Sequence, residues 1–124
     1  MDLFALREKL IQHLPVTRAF TNLPLVSLDS TIGVTNRKKV VNAFLSTSEY
    51  FKDTFSRAIN ESDLQELQRL GHRFKGASQT VGGSEFNNYC QILENVESIE
   101  IAGKMKNAIV TSLDSLQRCL AHYA

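Results

Sequence analysis

The chain predicts an all-α fold, an antiparallel four-helix bundle with an additional N-terminal helix. Three observations carry that expectation. Apolar residues recur at helical spacing through most of the 124 residues, with little of the strict alternation of a half-buried strand. The segments so marked are long, and short polar or glycine-containing breaks separate them. Long helices joined by short loops must pack as antiparallel neighbours, each apolar stripe against another.

The first element is a short amphipathic pattern over residues 2–14, with Leu3, Leu6, Leu10 and Leu14 at helical spacing and Pro15 at or just beyond its end. Residues 15–35 are mixed: Pro24, Gly33 and scattered Ser and Thr interrupt the apolar positions. They read as an ordered connection with one helical turn, the alternative being a two-strand excursion through Leu23–Leu28. The next segment is the strongest. Val40, Val41, Phe44, Phe51, Phe55, Ala58 and Ile59 mark one stripe from Asn36 or Arg37 to Ile59, on the order of 35 Å of helix. Asn60-Glu61-Ser62-Asp63 breaks and restarts the chain, with Ser62 and Gln65 as a capping box. A helix from Asp63 to about Thr80 turns Leu64, Leu67, Leu70, Phe74, Ala77, Ser78 and Val81 to one side. Val81-Gly82-Gly83 is the sharpest turn signal. A fourth bundle segment starts near Ser84 with Phe86, Cys90, Leu93 and Val96 inward, and Ala102-Gly103 closes it. The last, about 104–122, buries Met105, Ile109, Leu113, Leu116 and Leu120. Residues 1–124 form a single domain, with 1–35 the N-terminal helix and connection and 36–124 the bundle core.

Composition narrows the function classes. The 14 basic and 13 acidic residues balance, which gives no reason to expect nucleic acid or an anionic membrane as partner. No stretch approaches the roughly 20 apolar residues of a membrane span, and the N-terminus is not a basic leader followed by an apolar block. A cytoplasmic protein in a reducing compartment fits best. The two cysteines, Cys90 and Cys119, lie in apolar helical patterns and read as core residues, not as a disulfide or metal pair. His13, His72 and His122 are far apart and share no carboxylate arrangement, so a metal-binding bundle is disfavoured. One chain has enough apolar stripes to close its own core, so a monomer is expected.

His72 draws the chemistry. It lies roughly opposite Phe74 on its helix, so the imidazole should face solvent from a well-anchored rod. Lys75 and Gly76 follow at i+3 and i+4 on the same face. The lysine brings a cation, and the glycine removes a side chain. Arg69 and Arg73 flank the site, no acid lies within one turn in sequence, and Gln65, Gln68 and Gln79 extend the face with neutral polar groups. A neutral imidazole can attack phosphorus without a metal or serine companion. A phosphoryl group held there would bring roughly two negative charges and three acceptor oxygens, which Lys75 could meet. Each of Gly71 and Gly76 costs about 0.5–1 kcal/mol within a helix relative to Ala. Close backbone approach explains both, either by helix packing (the stronger account for Gly71) or by a docking partner. No Walker-type phosphate loop or kinase-like set of Lys, Glu and Asp is visible, so the chain should neither bind ATP nor phosphorylate itself.

The run His72-Arg73-Phe74-Lys75-Gly76-Ala77-Ser78, followed by Val81-Gly82, Phe86, Cys90 and Leu93-Glu94, resembles the signature of histidine-containing phosphotransfer (HPt) domains, the intermediate carriers of bacterial and fungal phosphorelays. The likeness covers residues 36–122, with Phe44 in a long preceding helix and Glu61 and Asp63 before the histidine helix; residues 1–35 are covered poorly. Phe74 and Phe86 stand where the family usually has smaller aliphatics. The resemblance implies a four-helix core, His72 as phosphoacceptor, Lys75 steadying the phosphoryl group and Gly76 admitting the receiver aspartate. It also implies a polar role near the phosphate for Gln79. Phosphoryl would pass from the aspartate of one receiver domain to that of another, the receivers belonging to a hybrid sensor kinase and to response regulators. The chain would need no cofactor of its own, with Mg²⁺ supplied by the receiver. Docking would use the His72 helix with the long helix before it, near Gln65, Gln68 and the exposed side of residues 44–58. Arg69 and Arg73 would steer towards an acidic receiver pocket. The outer nitrogen, Nε2, is the expected site of attachment. The competing reading is a helical adaptor without chemistry, in which His72 is incidental. A fragment of a hybrid kinase is a further alternative, against which the Met1 start and lack of a linker favour a standalone protein.

Overall fold

Apolar stripes of this length need a shared interior, and the computed structural model, which describes residues 20–124, supplies one. Six α-helices occur among these residues: α1 (Leu23–Ile32), α2 (Val34–Asn60), α3 (Leu64–Phe74), α4 (Ala77–Thr80), α5 (Ser84–Glu94) and α6 (Ile99–Leu120), followed by a 3₁₀ turn at Ala121–Tyr123. The fold is all-α. Helices α2, α3, α5 and α6 make the four-helix core, and α1 precedes it, packed on α2. The amphipathic pattern at residues 2–14 lies outside the described residues.

Cross-helix pairs fix the directions. Ser48 and Lys52 of α2 meet Gln117 and Asp114 of α6 at 2.6 and 2.5 Å, so the two run antiparallel. Gln68 reaches the Val96 carbonyl while Gly76 reaches Asn87, so α3 and α5 also run antiparallel. At the centre lies Phe51, fully buried, its ring edge-on to Phe74 of α3 and Phe86 of α5 at 5.0 Å each and tilted against Phe55 at 5.5 Å. Phe74 and Phe86 thus share one aromatic cluster with Phe51 and Phe55 that ties three helices together. Val41, Phe44, Leu67, Leu70, Cys90, Leu93, Ile109, Leu113, Leu116 and Leu120 complete the core.

Several boundaries differ from the sequence expectation. Residues 23–32 form a helix of ten residues, not a connection with a single turn or a pair of strands. Pro24 falls in its first turn, where a missing N–H costs nothing, and Leu25 and Leu28 turn inward at i, i+3. The neighbouring Arg37 is buried. It donates to Asp29 Oδ1 at 2.8 Å and to the Tyr123 carbonyl, so it joins α1, α2 and the C-terminus. At the start of α3 the cap is Asp63, not Ser62: its carboxylate accepts from the Glu66 amide at 3.1 Å, and Ser62 takes the turn with φ 54°. Helix α5 ends at Glu94, and α6 begins at Ile99, because the Ser98 hydroxyl accepts from the amides of Glu100 and Ile101. Ala102 and Gly103, expected to close a helix, lie within α6 instead, with Ala102 buried.

The largest departure lies beside the histidine. The helix expected to run from Asp63 to about Thr80 stops at Phe74; Lys75 is extended at ψ 139°, Gly76 has φ 88°, and α4 starts afresh. Only glycine adopts that φ freely, so Gly76 is required by backbone conformation; a Cβ there would meet open space. The break turns Ala77, expected inward, out to solvent, while Ser78 and Val81 stay buried.

Gly71 answers to sterics. A Cβ on it would stand 2.5 Å from the Cys90 carbonyl oxygen and the Glu94 amide nitrogen, and 2.9 Å from Leu93 Cβ. Most of that obstruction is backbone, so α5 would have to move. Gly71→Ala should therefore destabilise by about 1–3 kcal/mol despite its better helix propensity. Phe51→Ala should cost about 3–5 kcal/mol. Urea titration of both variants tests this, and a Gly71→Ala protein as stable as the parent would contradict the close approach.

Candidate functional site

His72 sits two residues before the end of α3, with its side chain 74% exposed. The well-buried neighbours Leu70, Gly71 and Phe74 hold the helix beneath it. The ring is nonetheless not free to turn. Because α5 lies so close at Gly71, the carboxylate of Glu94 reaches across, and one of its oxygens pairs with His72 Nδ1. Its other oxygen accepts from Lys75 Nζ at 2.5 Å. One carboxylate thus bridges two residues of the expected site, and the surroundings are not purely cationic. Absence of an acid within one turn holds along the chain but not in space.

The electrostatics follow. Hydrogen bonds from Lys75 and then His72, reinforced by their charges, hold the Glu94 carboxyl below its ordinary value of 4.5, so it is ionised at neutral pH. An ionised carboxylate only accepts hydrogen bonds, so Nδ1 must carry the proton in this pair. In the neutral ring that leaves the lone pair on Nε2.

The other expected residues divide. Gly76 adjoins Lys75 and presents bare backbone. Its amide donates to Asn87 Oδ1 at 2.8 Å, and its carbonyl accepts from both the amide and the hydroxyl of Thr80 at 2.9 Å. Gln79 does not extend the histidine's helix face, since the chain breaks before it; its Oε1 accepts from Asn87 Nδ2 at 2.9 Å. Gln68 donates to the Val96 carbonyl at 2.7 Å and so fastens the α5–α6 connection. Arg69 pairs with Glu66 at 2.9 Å on the exposed surface, a contact worth about 0–1 kcal/mol and easily exchanged. Arg73 lies over the Tyr50 ring at 4.8 Å, towards α2. Sequence reasoning assigned no part to Glu94 or Asn87. The Leu93-Glu94 pair in the family-like pattern was the available signal for the first; the second had none. Among the described residues no group of three His, Cys, Asp or Glu side chains is placed to hold a metal ion.

The lowered Glu94 value has a sign. A carboxyl whose folded value is depressed adds stability above its unfolded value, and that stability is lost as pH falls from about 4.5 through the folded value. In denaturation between about pH 6 and pH 3, the parent should therefore lose more stability than Glu94→Gln. Parallel curves would mean that the bridge contributes nothing.

Comparison with known proteins bears on the family and the fold. A family model described as Hpt domain matches residues 39–120. No curated protein sequence matches. Among solved structures, the crystal structure of histidine-containing phosphotransfer protein B from Pseudomonas aeruginosa PAO1 is similar, with TM-score 0.72 and 18% sequence identity over 84% of this chain and 92% of that one; at that identity the likeness concerns the fold. The family match runs through every helix of the four-helix core and across the His72 to Glu94 stretch, so the chain belongs to the Hpt domain family, the phosphotransfer intermediates that work between receiver domains.

Proposed function

We propose that His72 is the residue that carries the phosphoryl group, on Nε2, and that Lys75 and Gly76 complete the site. The pairing of Nδ1 with Glu94 carries this reading, because in the neutral ring it leaves the lone pair on the outer nitrogen of an exposed side chain. As an Hpt domain the chain relays phosphoryl groups and does not draw them from ATP.

The step balances without a proton transfer. The Nε2 lone pair attacks the phosphorus of a receiver's aspartyl phosphate, a P–N bond forms, the P–O bond breaks and the aspartate leaves as carboxylate. The ring becomes a phosphoimidazolium whose positive charge faces Glu94 through Nδ1–H. In the onward step a second receiver's aspartate takes the phosphoryl group and the ring returns to its neutral form. Mg²⁺ belongs to the receiver. Lys75 stands one turn from His72 with a flexible four-carbon stem, suited to meet the new negative charge.

Docking on α3 and α2 is supported by Arg73 of α3, which lies over the Tyr50 ring of α2, and by Arg69, held only by an exposed pair. Next to α2, an apolar groove runs between it and α4, lined by Val40, Ala43, Phe44, Thr47, Ala77, Thr80 and Val81. The proposed partners are receiver domains of a hybrid sensor kinase and of response regulators, met by a monomer made of one domain over residues 1–124. Gln68 and Gln79, bound within the fold, fit a supporting role better than direct phosphate contact. Both cysteines are free thiols, which suits the reducing cytoplasm. No helix among the described residues is long and apolar enough to cross a membrane.

The experiment is transfer from a panel of ³²P-labelled receiver domains, read at short times. Acid-labile label should appear on the parent, be absent from His72→Gln, and accumulate about tenfold or more slowly on Lys75→Ala. Label retained by His72→Gln, or a parent that no receiver labels, rejects the proposal and favours a helical adaptor.

A further inference from the structure

Asn87 has no part in the chemistry above, yet it is 4% exposed on α5 and has both ends of its carboxamide engaged beside the histidine. Its place is unusual. In an unbroken helix the Gly76 amide would bond to the His72 carbonyl, four residues back. Here it leaves α3 and donates to Asn87 Oδ1 at 2.8 Å. Asn87 Nδ2 in turn donates to Gln79 Oε1 at 2.9 Å, which pins the carboxamide orientation. On the opposite side of the same residue the Gly76 carbonyl is held by Thr80. The bare backbone next to the histidine is thus clamped on both sides, with open space in front of it.

We infer that Asn87 is a positioning residue that acts through the Gly76 backbone, fixing the surface beside His72 on which a phosphorylated receiver lands; this rests on the reading of His72 as phosphoacceptor. Lys75 keeps a helical φ of −64° and its amide bond to the Gly71 carbonyl, so the break leaves the root of its side chain in place. What the break moves is everything after it. Gly76 departs from the helix axis, and Ala77 and Thr80 turn outward to line the groove shared with Val40, Ala43, Phe44 and Thr47. Without the Asn87 acceptor, the Gly76 amide has water or the His72 carbonyl as its alternatives, and the landing surface loses its single conformation. A docking partner would then bear the ordering cost. A small phosphodonor that needs no landing surface would not.

That difference supplies the test. The parent, Asn87→Ala and Asn87→Asp are each labelled by two donors, a phosphorylated receiver domain and potassium phosphoramidate. Asp keeps an oxygen for the Gly76 amide, and the Gln79 carboxamide can turn to donate its Nε2 to the other oxygen, so Asp serves as the conservative rescue. Expected is a rise of about tenfold in KM for the receiver in Asn87→Ala, with little change in Asn87→Asp and equal phosphoramidate labelling in all three. An unchanged receiver KM in Asn87→Ala overturns the inference. So does an equal fall with both donors, which marks a merely structural role. Amide hydrogen exchange stands apart from phosphotransfer. Gly76 should exchange faster in Asn87→Ala while the amides of α2 and α6 keep their protection, and a Gly76 rate equal to the parent's overturns the clamp. If no receiver labels the parent at all, it is the proposed function that fails, and the exchange measurement still decides whether Asn87 holds Gly76.

Discussion

The site depends on how closely two helices can approach. At Gly71 the backbone of α5 fills the space where any other residue would carry a Cβ. A glycine inside a helix costs about 0.5–1 kcal/mol relative to alanine. That cost is offset by packing that brings Leu67, Leu70 and Phe74 against Cys90 and Leu93 in one buried cluster. The same approach carries Glu94 to the edge of α3, where a short carboxylate side chain spans to both His72 and Lys75. The chemistry at the surface is therefore set by the steric demand of the core. Cys90, buried at that contact with its thiol pushed up to about 12 by desolvation, stays a protonated packing residue and does not compete as a nucleophile.

Glu94 imposes a division of labour on the charges. Before phosphorylation it is shared between a cation and an imidazole. In the proposed phosphorylated state, with the group on Nε2, the ring is positive and a dianionic group lies beyond it. Glu94 then has reason to favour the ring, and Lys75 to favour the phosphoryl oxygens. The two partners are already on separate carboxylate oxygens, so the exchange needs only rotation of the lysine stem. Arg69 and Arg73 stand outside this arrangement, one on Glu66 and one on Tyr50, and serve approach more naturally than catalysis.

Much of this was legible in the chain, and the rest was hidden for identifiable reasons. The stripes of α2 and α6 are long and uninterrupted, so their faces read correctly from Val41 to Ala58 and from Ile109 to Leu120. Helix α1 was hidden because Pro24 and neighbouring Ser and Thr look like loop, although proline is tolerated in a first turn. The α5–α6 junction was misplaced because Ala102-Gly103 resembles a stop, while the Ser98 cap that starts α6 is the stronger local signal. Exposure of His72 and the nearness of Lys75 follow from spacing on one helix. The Glu94 bridge does not, since it joins residues on different helices, and no periodicity encodes a contact between surfaces. Asn87 was least visible of all: a polar residue on a buried face reads as a flaw in the stripe until its partners are known.

The break at Lys75-Gly76 is where local preference and tertiary structure part company. The sequence from Leu64 to Val81 has the period of one helix, and nothing in its propensities except two glycines argues against continuity. The chain breaks regardless, and satisfied hydrogen bonds compensate for it: Asn87 takes the amide that the helix gives up, Thr80 takes the carbonyl, and Ser78 returns its hydroxyl to the Phe74 carbonyl at 2.7 Å. Exposed and buried groups alike find partners, so the break is a built feature and not a frayed end. A continuous helix would bury Ala77 and carry a smooth ridge past the histidine. The broken one gives a hydrogen-bonded patch of side-chain-free backbone beside His72, and an apolar groove between α2 and α4. Local rules are most often violated where a protein must meet another molecule. Here the violation lies one residue past the lysine that shares the Glu94 carboxylate with His72.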